Sequence, residues 1–278
     1  MNLTKFGIWT SYRTIGQQNA AEAARLVQDL GFGAFWLGGS PEPDQLRPLL
    51  AATETLITAT GIVNMWVTEP SVVAAQHAAI EREYPDRSLV GIGAGHPEAN
   101  SDYTHPLQAM VRYLDALDNA PTPQPAELRV LAALGPRMLD LSSDRALGTH
   151  PYFTVVEHTR FARERLGGGP LIAPEMACVV DTDTERARAA ARDYAGRYLE
   201  LSNYTNNLKH FGFTDEDIAD GGSDRLIDSV IPHGSAQKIA EAVHAHLEAG
   251  ADHVCLQPVG ITGVPREEWT ALAGALGL

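Results

Sequence analysis

Leu89-Val90-Gly91-Ile92-Gly93-Ala94-Gly95-His96 begins as an apolar, strand-like run and ends in three alternating glycines and a histidine. Glycine lacks a Cβ, so backbone at such a strand exit can come within contact distance of a flat ligand. A histidine just beyond the exit is placed to meet whatever lies there. The same residues also fit a tight turn with the histidine in solvent. A lone G-x-G-x-G is a weak dinucleotide signal here, because no clear helix start follows it. The rest of the chain decides between these readings.

Outward from that strand, apolar runs and helical periodicities alternate. Strands are expected at residues 5–10, 34–37, 56–63, at the quoted run, and at 129–134, 149–153, 171–180 and 253–258. Between them, apolar residues recur at helical spacing, as in Ala23, Leu26, Val27 and Leu30, with Asn19 as cap and Gly31 as stop. Pro70, Pro106 and Pro136 stand where proline suits a helix's first turn. Asp183 or Asp181 and Ser235 are placed to cap the helices that follow them. Residues 203–222 are polar and irregular, with short helical turns expected near 206–210 and 215–219. Eight strand–helix units without a composition break predict a single (β/α)8 TIM barrel over residues 1–278. A short helical insertion is expected between strands 7 and 8.

The 278 residues are enough for such a barrel, and 44% hydrophobic with 20% charged residues is ordinary for a globular protein. A formal net charge of −14 argues against nucleic acid or an anionic membrane as a broad partner. Cys178 and Cys255 both lie in apolar runs and read as buried thiols of a reducing compartment. With no apolar leader or membrane span visible, a cytoplasmic protein is expected.

In a barrel of this class the chemistry lies at the carboxyl ends of the strands. Those positions carry small, neutral polar and aromatic residues: Tyr12, Gly38-Gly39-Ser40, Asn64-Met65-Trp66, Gly93-Ala94-Gly95-His96, Ala133-Leu134-Gly135-Pro136-Arg137, His150-Pro151-Tyr152, Glu175-Met176 and Gln257-Pro258. No His/Asp/Glu/Cys set has ligand spacing, so no metal is expected. There is no G-x-S-x-G or P-loop, and no lysine at a strand end, which disfavours hydrolase, NTPase and Schiff-base chemistry. What remains suits a broad uncharged heterocycle. A phosphate fits at Gly135-Pro136-Arg137, where a helix N-terminus meets a guanidinium. Arg137 reads equally well as a surface residue of a helix's first turn.

Several of these motifs resemble one family. Leu56-Ile57-Thr58-Ala59-Thr60-Gly61-Ile62-Val63-Asn64 with Glu69-Pro70 is similar to the third-strand motif of the bacterial luciferase-like flavin and deazaflavin oxidoreductases. The run Gly91-Ile92-Gly93-Ala94-Gly95-His96 resembles their fourth. Val130-Leu131-Ala132-Ala133-Leu134-Gly135-Pro136-Arg137-Met138-Leu139 resembles their fifth, and Gly250-Ala251-Asp252-His253-Val254 their last strand entry. The resemblance spans the chain in order. It is stronger to the actinobacterial branch that uses coenzyme F420 than to the alkanal monooxygenases.

The resemblance implies a coenzyme ring over the barrel mouth, backed by a non-prolyl cis peptide near Gly61-Ile62. Asn64 would meet the ring edge. Gly38, Ser40, Gly93 and Gly95 would approach the coenzyme, and Ala133 to Arg137, with His150 and Tyr152, would hold its phosphate-bearing tail. Tyr12, Trp66 and Tyr204 are expected at the substrate pocket, with Tyr194, Tyr198 and Phe211 as further aromatic candidates from the insertion. The glucose-6-phosphate dehydrogenases of the family carry an acid and a histidine after strand 2, where this chain has Gly39 and Ser40, and an acid where it has His96. Sugar-phosphate oxidation is therefore disfavoured, and His96 becomes the candidate proton donor or acceptor. The implied function is hydride transfer between F420 and a small organic substrate, in a homodimer. An FMN-dependent monooxygenase and a non-catalytic flavin- or deazaflavin-binding protein are the alternatives.

Overall fold

The computed structural model describes residues 3–99 and 103–278. Eight parallel strands form a ring: β1 Phe6–Ser11, β2 Ala34–Gly38, β3 Ile57–Gly61, β4 Ser88–Gly93, β5 Arg129–Leu131, β6 Gly148–Thr149, β7 over residues 171–180, and β8 Val254–Pro258. β1 pairs with both β2 and β8, so the sheet has no free edge there. The ring closes through β7. Its first piece, Leu171–Ile172, pairs with β6, and its second, Glu175–Val180, pairs with β8. Pro174, which has no N–H to donate, sits at the break. Cys255 N still donates to the Pro174 carbonyl at 2.9 Å and Ala173 N to that of Thr149 at 2.9 Å, so both flanks of β7 stay bonded.

Besides β7, three strands are shorter or more broken than their sequences predict. β3 stops at Gly61, the Gly61–Ile62 peptide is cis, and Val63–Asn64 resumes pairing with β4. β5 ends at Leu131 and β6 at Thr149, although Ala132 N and His150 N still donate across the ring to the Ile92 and Leu131 carbonyls at 2.8 Å and 2.9 Å. Helices pack outside the ring on small apolar stripes. In Ala20–Asp29 the buried residues are Ala20, Ala23, Ala24 and Val27, one face at helical spacing. Asn19 does not cap that helix. Its amide donates back to the Ile15 carbonyl at 2.7 Å, because a turn at Gln17–Asn19 precedes the helix. Asp183 and Ser235 do cap, accepting from Arg186 N at 3.0 Å and Lys238 N at 3.3 Å.

The insertion after β7 is helical as expected, and only Ser202–His210 is longer than the turn predicted at 206–210. Thr184–Leu199, Ser202–His210, Asp215–Ile218 and Asp224–Val230 gather Ala187, Ala191, Tyr194, Tyr204, Leu208 and Ile227 onto Phe153 and Val179 above the barrel. The inward face of the ring is filled by Trp36, Ala34, Ile57, Ala59, Leu89, Val130, Ala173 and Cys255, topped by Trp9. Cys178 and Cys255 are free, buried thiols. No helix among the described residues is long and apolar enough to cross a membrane.

Candidate active site at the barrel mouth

A cavity of about 430 Å³ lies over the carboxyl ends of the strands, between them and the insertion. Its floor follows from strand register. Gly38 on β2 stands opposite Gly61 on β3, and the Trp9 indole lies across both. A Cβ at Gly38 would fall within the Trp9 ring, and one at Gly61 would sit 2.5 Å from its Nε1. Gly93 makes room in the same way for Ile62, whose Cδ1 would lie 2.7 Å from an added Cβ. Several mouth glycines therefore seat the protein's own Trp9 and Ile62, and those side chains, with Gly61 and Gly93, line the cavity. Gly135 differs, since a Cβ there meets nothing within 4 Å.

One wall comes from the loop after β4 and the helix Ser202–His210. His96 Nδ1 lies 2.9 Å from Asn203 Oδ1, and the His96 and Tyr204 ring centroids are 5.0 Å apart. Glu98 accepts from Ser202 N at 3.0 Å, which ties the two segments together and holds its carboxyl below the usual range. With Nδ1 as donor to the Asn203 oxygen, Nε2 is the acceptor nitrogen whenever the ring carries a single proton.

Beneath the cavity the polar groups belong to neutral rings. His150 stacks on Trp36 at 4.1 Å and 13°. Burial pushes its imidazole down to about 4. The ring is therefore neutral, and Nδ1–H donates to the Ala173 carbonyl at 2.7 Å. His150 Nε2 and Trp9 Nε1 are buried with no hydrogen-bond partner. The Tyr152 and Tyr194 hydroxyls lie within hydrogen-bond reach of each other and of Gln257 Oε1, which is 2.9 Å from Tyr152 and 3.0 Å from Tyr194 and accepts from one or the other, and the Tyr198 hydroxyl is 3.0 Å from that of Tyr152. Burial raises the Tyr152, Tyr194 and Tyr204 hydroxyls well above their ordinary value, so all three are neutral. Burial also pushes Glu175 up to about 8. One of its oxygens accepts from Phe153 N at 3.3 Å and the other has no partner.

Ser40, Gly61, Ile62, Asn64, Gly93, Gly95, His96, Leu134, Gly135, His150, Tyr152 and Tyr204 all line the cavity. Six of the residues expected at the site do not. Gly38 is covered by Trp9. Ala133 packs outward with Leu139, Ala162 and Ile172. Pro136 and Arg137 lie exposed on the first turn of the helix Pro136–Arg145. The Tyr12 hydroxyl donates to the Gln45 carbonyl at 2.6 Å, away from the mouth. Trp66 stands behind the wall, its Nε1 donating to the Ala94 carbonyl at 2.6 Å and its ring 5.8 Å from that of Tyr103. Tyr198 also lines the cavity, Tyr194 lies behind it, and Phe211 packs instead on His158 and Phe161. Gly39, named with the strand ends, lines the cavity too, and so do Trp9, Tyr103, Met138 and Asn203, which the strand-end rule does not pick out. The signal for Trp9 was an indole at a strand end whose neighbours in register are glycines, and register is not visible in a single sequence. Among the described residues no cluster of His, Cys, Asp and Glu could hold a metal ion.

The whole chain aligns with three solved structures of informative kind. An F420-dependent secondary alcohol dehydrogenase, solved with an F420–acetone adduct, is 16% identical with a TM-score of 0.76, covering 99% of both chains. A coenzyme F420-dependent tetrahydromethanopterin reductase from Methanopyrus kandleri is 15% identical with a TM-score of 0.71, again covering 99% of both. The oxygenating constituent of 3,6-diketocamphane monooxygenase from Pseudomonas putida, solved with FMN, is 14% identical with a TM-score of 0.65, covering 98% of this chain and 96% of that one. At these identities the likeness establishes the fold. No curated protein sequence matches the chain. Residues 3–120, which carry β1 to β4 and the wall histidine, match the model of the luciferase-like monooxygenase family.

Proposed function

We propose that this protein is an oxidoreductase that moves a hydride between the deazaflavin coenzyme F420 and a small organic substrate. The observation that carries this reading is the cavity itself. It is floored by Ile62 and Trp9 and walled by aromatic rings, no carboxylate or lysine lines it among the described residues, and two of its lining residues carry buried polar atoms without partners, His150 Nε2 and Trp9 Nε1. A flat, uncharged heterocycle with polar edges fits that chemistry, whereas a highly charged ligand does not. When bound, the coenzyme supplies the hydride chemistry, and the protein supplies position, electrostatics and dryness.

Ile62 and Trp9 would support one face of the ring, with Asn64 and Ser40 at its polar edge. Gly135 precedes the helix Pro136–Arg145 without a side-chain cap, and its side is open, so backbone there would take the phosphate. Arg137, on the exposed side of that turn, would contribute charge rather than a direct contact. His96, oriented by Asn203 through Nδ1, would give or take a proton at Nε2 as the substrate's oxygen or nitrogen changes charge. Tyr204 and Tyr103 would exclude water from the same wall.

Absorbance titrations with F420, FMN and FAD side by side test the reading. F420 is expected to bind most tightly and to support turnover on a panel of alcohols, imines and enones. Preference for FMN, with oxygen consumed on reduction, would replace F420 by FMN and make the protein a monooxygenase, as in the FMN-bound structural neighbour. Binding without any turnover would make it a carrier, and no binding of any of the three would end the proposal. His96→Ala is expected to lower turnover by roughly 10²–10⁴-fold while coenzyme affinity stays close to that of the parent. Equal loss of both would demote His96 to a binding contact.

A further inference from the structure

A second cavity, of about 270 Å³, adjoins the first. The two share Trp9, Gly39 and Tyr198 in their walls. Their chemistry differs. To the neutral rings of the first, the second adds two guanidinium groups, Arg13 from the turn after β1 and Arg197 from the helix Thr184–Leu199, and the hydroxyls of Ser11 and Thr14. Among the described residues no carboxylate lines it.

The state of the two arginines is informative. Neither forms an ion pair among the described residues, although the chain carries a net charge of −14. Arg186, Arg188 and Arg192, on the same helix as Arg197, are each paired with aspartates. Arg197 instead lies over the rings of Tyr194 and Tyr198, its guanidinium carbon 4.7 Å and 5.2 Å from their centroids. Stacking engages the face of the guanidinium and leaves its N–H edge for an in-plane acceptor. Two cations and two hydroxyls around a small cavity form a local field that attracts an anion, and a carboxylate or phosphate matches the guanidinium fork.

We propose that the second cavity is an anion subsite, and that the substrate turned over in the first cavity carries a carboxylate or phosphate held by Arg13 and Arg197. This rests on the oxidoreductase reading for the word substrate, and on the cavity alone for the anion. The substrate class is then a small organic acid or phosphate ester whose reacting carbon lies past Trp9 and Tyr198. The other source of the same chemistry is the coenzyme's own phosphate-bearing tail.

Calorimetric titration of the coenzyme-free protein with inorganic phosphate and with succinate tests the subsite. F420 and FMN titrations of the same variants separate the two sources. At least one probe is expected to bind the parent. Arg13→Gln and Arg197→Gln are each expected to weaken it by about tenfold or more, Arg13→Lys is expected to retain most of the affinity, and coenzyme affinity is expected to change by less than about twofold. No probe binding, or binding indifferent to both Gln variants, overturns the proposal. So does a Lys variant as weak as Gln, which would make the effect one of packing. Coenzyme affinity that falls in step with probe affinity assigns the arginines to the tail and overturns the substrate assignment. Probe binding that persists when neither coenzyme binds supports the anion subsite and counts against the oxidoreductase reading alone.

Discussion

The buried end of the barrel and its open mouth are made by the same strands, two residues apart. Trp9, Trp36, Ala59 and Leu89 stand in register across β1 to β4 as one inward layer. Trp36 is fully buried there, stacked on His150 and donating to His253 Nε2 at 3.1 Å. One inward step further along β2 and β3 stand Gly38 and Gly61. Below, large side chains fill the ring and their polar atoms are mostly tied. His253 Nδ1, for example, is 2.5 Å from the Thr4 carbonyl. Above, glycines let Trp9 lie flat and the space over it is open, while His150 Nε2 and Trp9 Nε1 stay buried beside it without a partner. The lower layer shows what close packing does with this sequence. The mouth is where that packing stops, and polar groups left unpaired there are a reason to look for a ligand.

The largest expected effect is on pH stability, and it belongs to the closed regions. Burial pushes His150, His158, His246 and His253 down to about 4, from an ordinary 6.5. The unfolded chain therefore binds more protons than the fold between those values. The stability these groups contribute is complete above about 6.5 and is lost as pH falls towards 4, at up to about 1.4 kcal/mol per pH unit for each. Glu175 acts in the opposite sense. Its carboxyl is raised from 4.5 to about 8, so its contribution is full below 4.5 and is lost as pH rises towards 8. Urea melts from pH 4 to 9 are expected to show a steep acid limb, a maximum near the ordinary histidine value and a shallow decline beyond it. Glu175→Gln is expected to flatten that decline and to steepen the limb between about 4.5 and 6.5, where Glu175 opposes the histidines. A flat profile from 6.5 to 4.5 would mean the histidines are hydrated and the lower barrel is not dry.

Trp36→Ala is next, at about 3–5 kcal/mol of unfolding free energy, because it removes a ring with no exposed surface and leaves His150 and His253 without their partner. A loss below about 1 kcal/mol in denaturant melts would break the contrast between filled and open layers. Gly38→Ala is expected to cost about 1–3 kcal/mol, because its Cβ collides with the Trp9 ring. Coenzyme affinity should drop with it, as Trp9 must move. Gly135→Val sharpens the contrast from the other side. Its Cβ meets no protein atom, so stability should move by less than about 1 kcal/mol, while coenzyme affinity falls by more than about tenfold. Unchanged affinity would move the phosphate away from Gly135.

Much of the barrel was legible because its signals are local. Apolar runs punctuated by Gly and Pro mark buried parallel strands, and Pro70, Pro106 and Pro136 do begin helices. The strand-end rule then put His96, Asn64, Ser40, Gly135, His150 and Tyr152 in one set, and the fold gathers them around one cavity. Three of the misses share one cause. Tyr12, Trp66 and Ala133 are strand-end residues whose side chains turn away from the mouth, and a strand end does not reveal the direction of its last side chain. The insertion's irregular, polar sequence hid the helix Ser202–His210, which depends on packing Tyr204 and Leu208 rather than on propensity.

By itself the sequence determined the class of architecture, the order of its strands and helices, and the neutral, glycine-rich character of the strand ends, since periodicity and glycine placement act along the chain. Only the tertiary structure decided that Trp9 would lie on Gly38 and Gly61, that His96 would meet Asn203, and that Arg13 and Arg197 would face one small cavity. Those outcomes depend on register between strands and on an insertion folding back from more than a hundred residues away. Contacts between segments so distant follow from ring closure and side-chain packing, which no local pattern encodes.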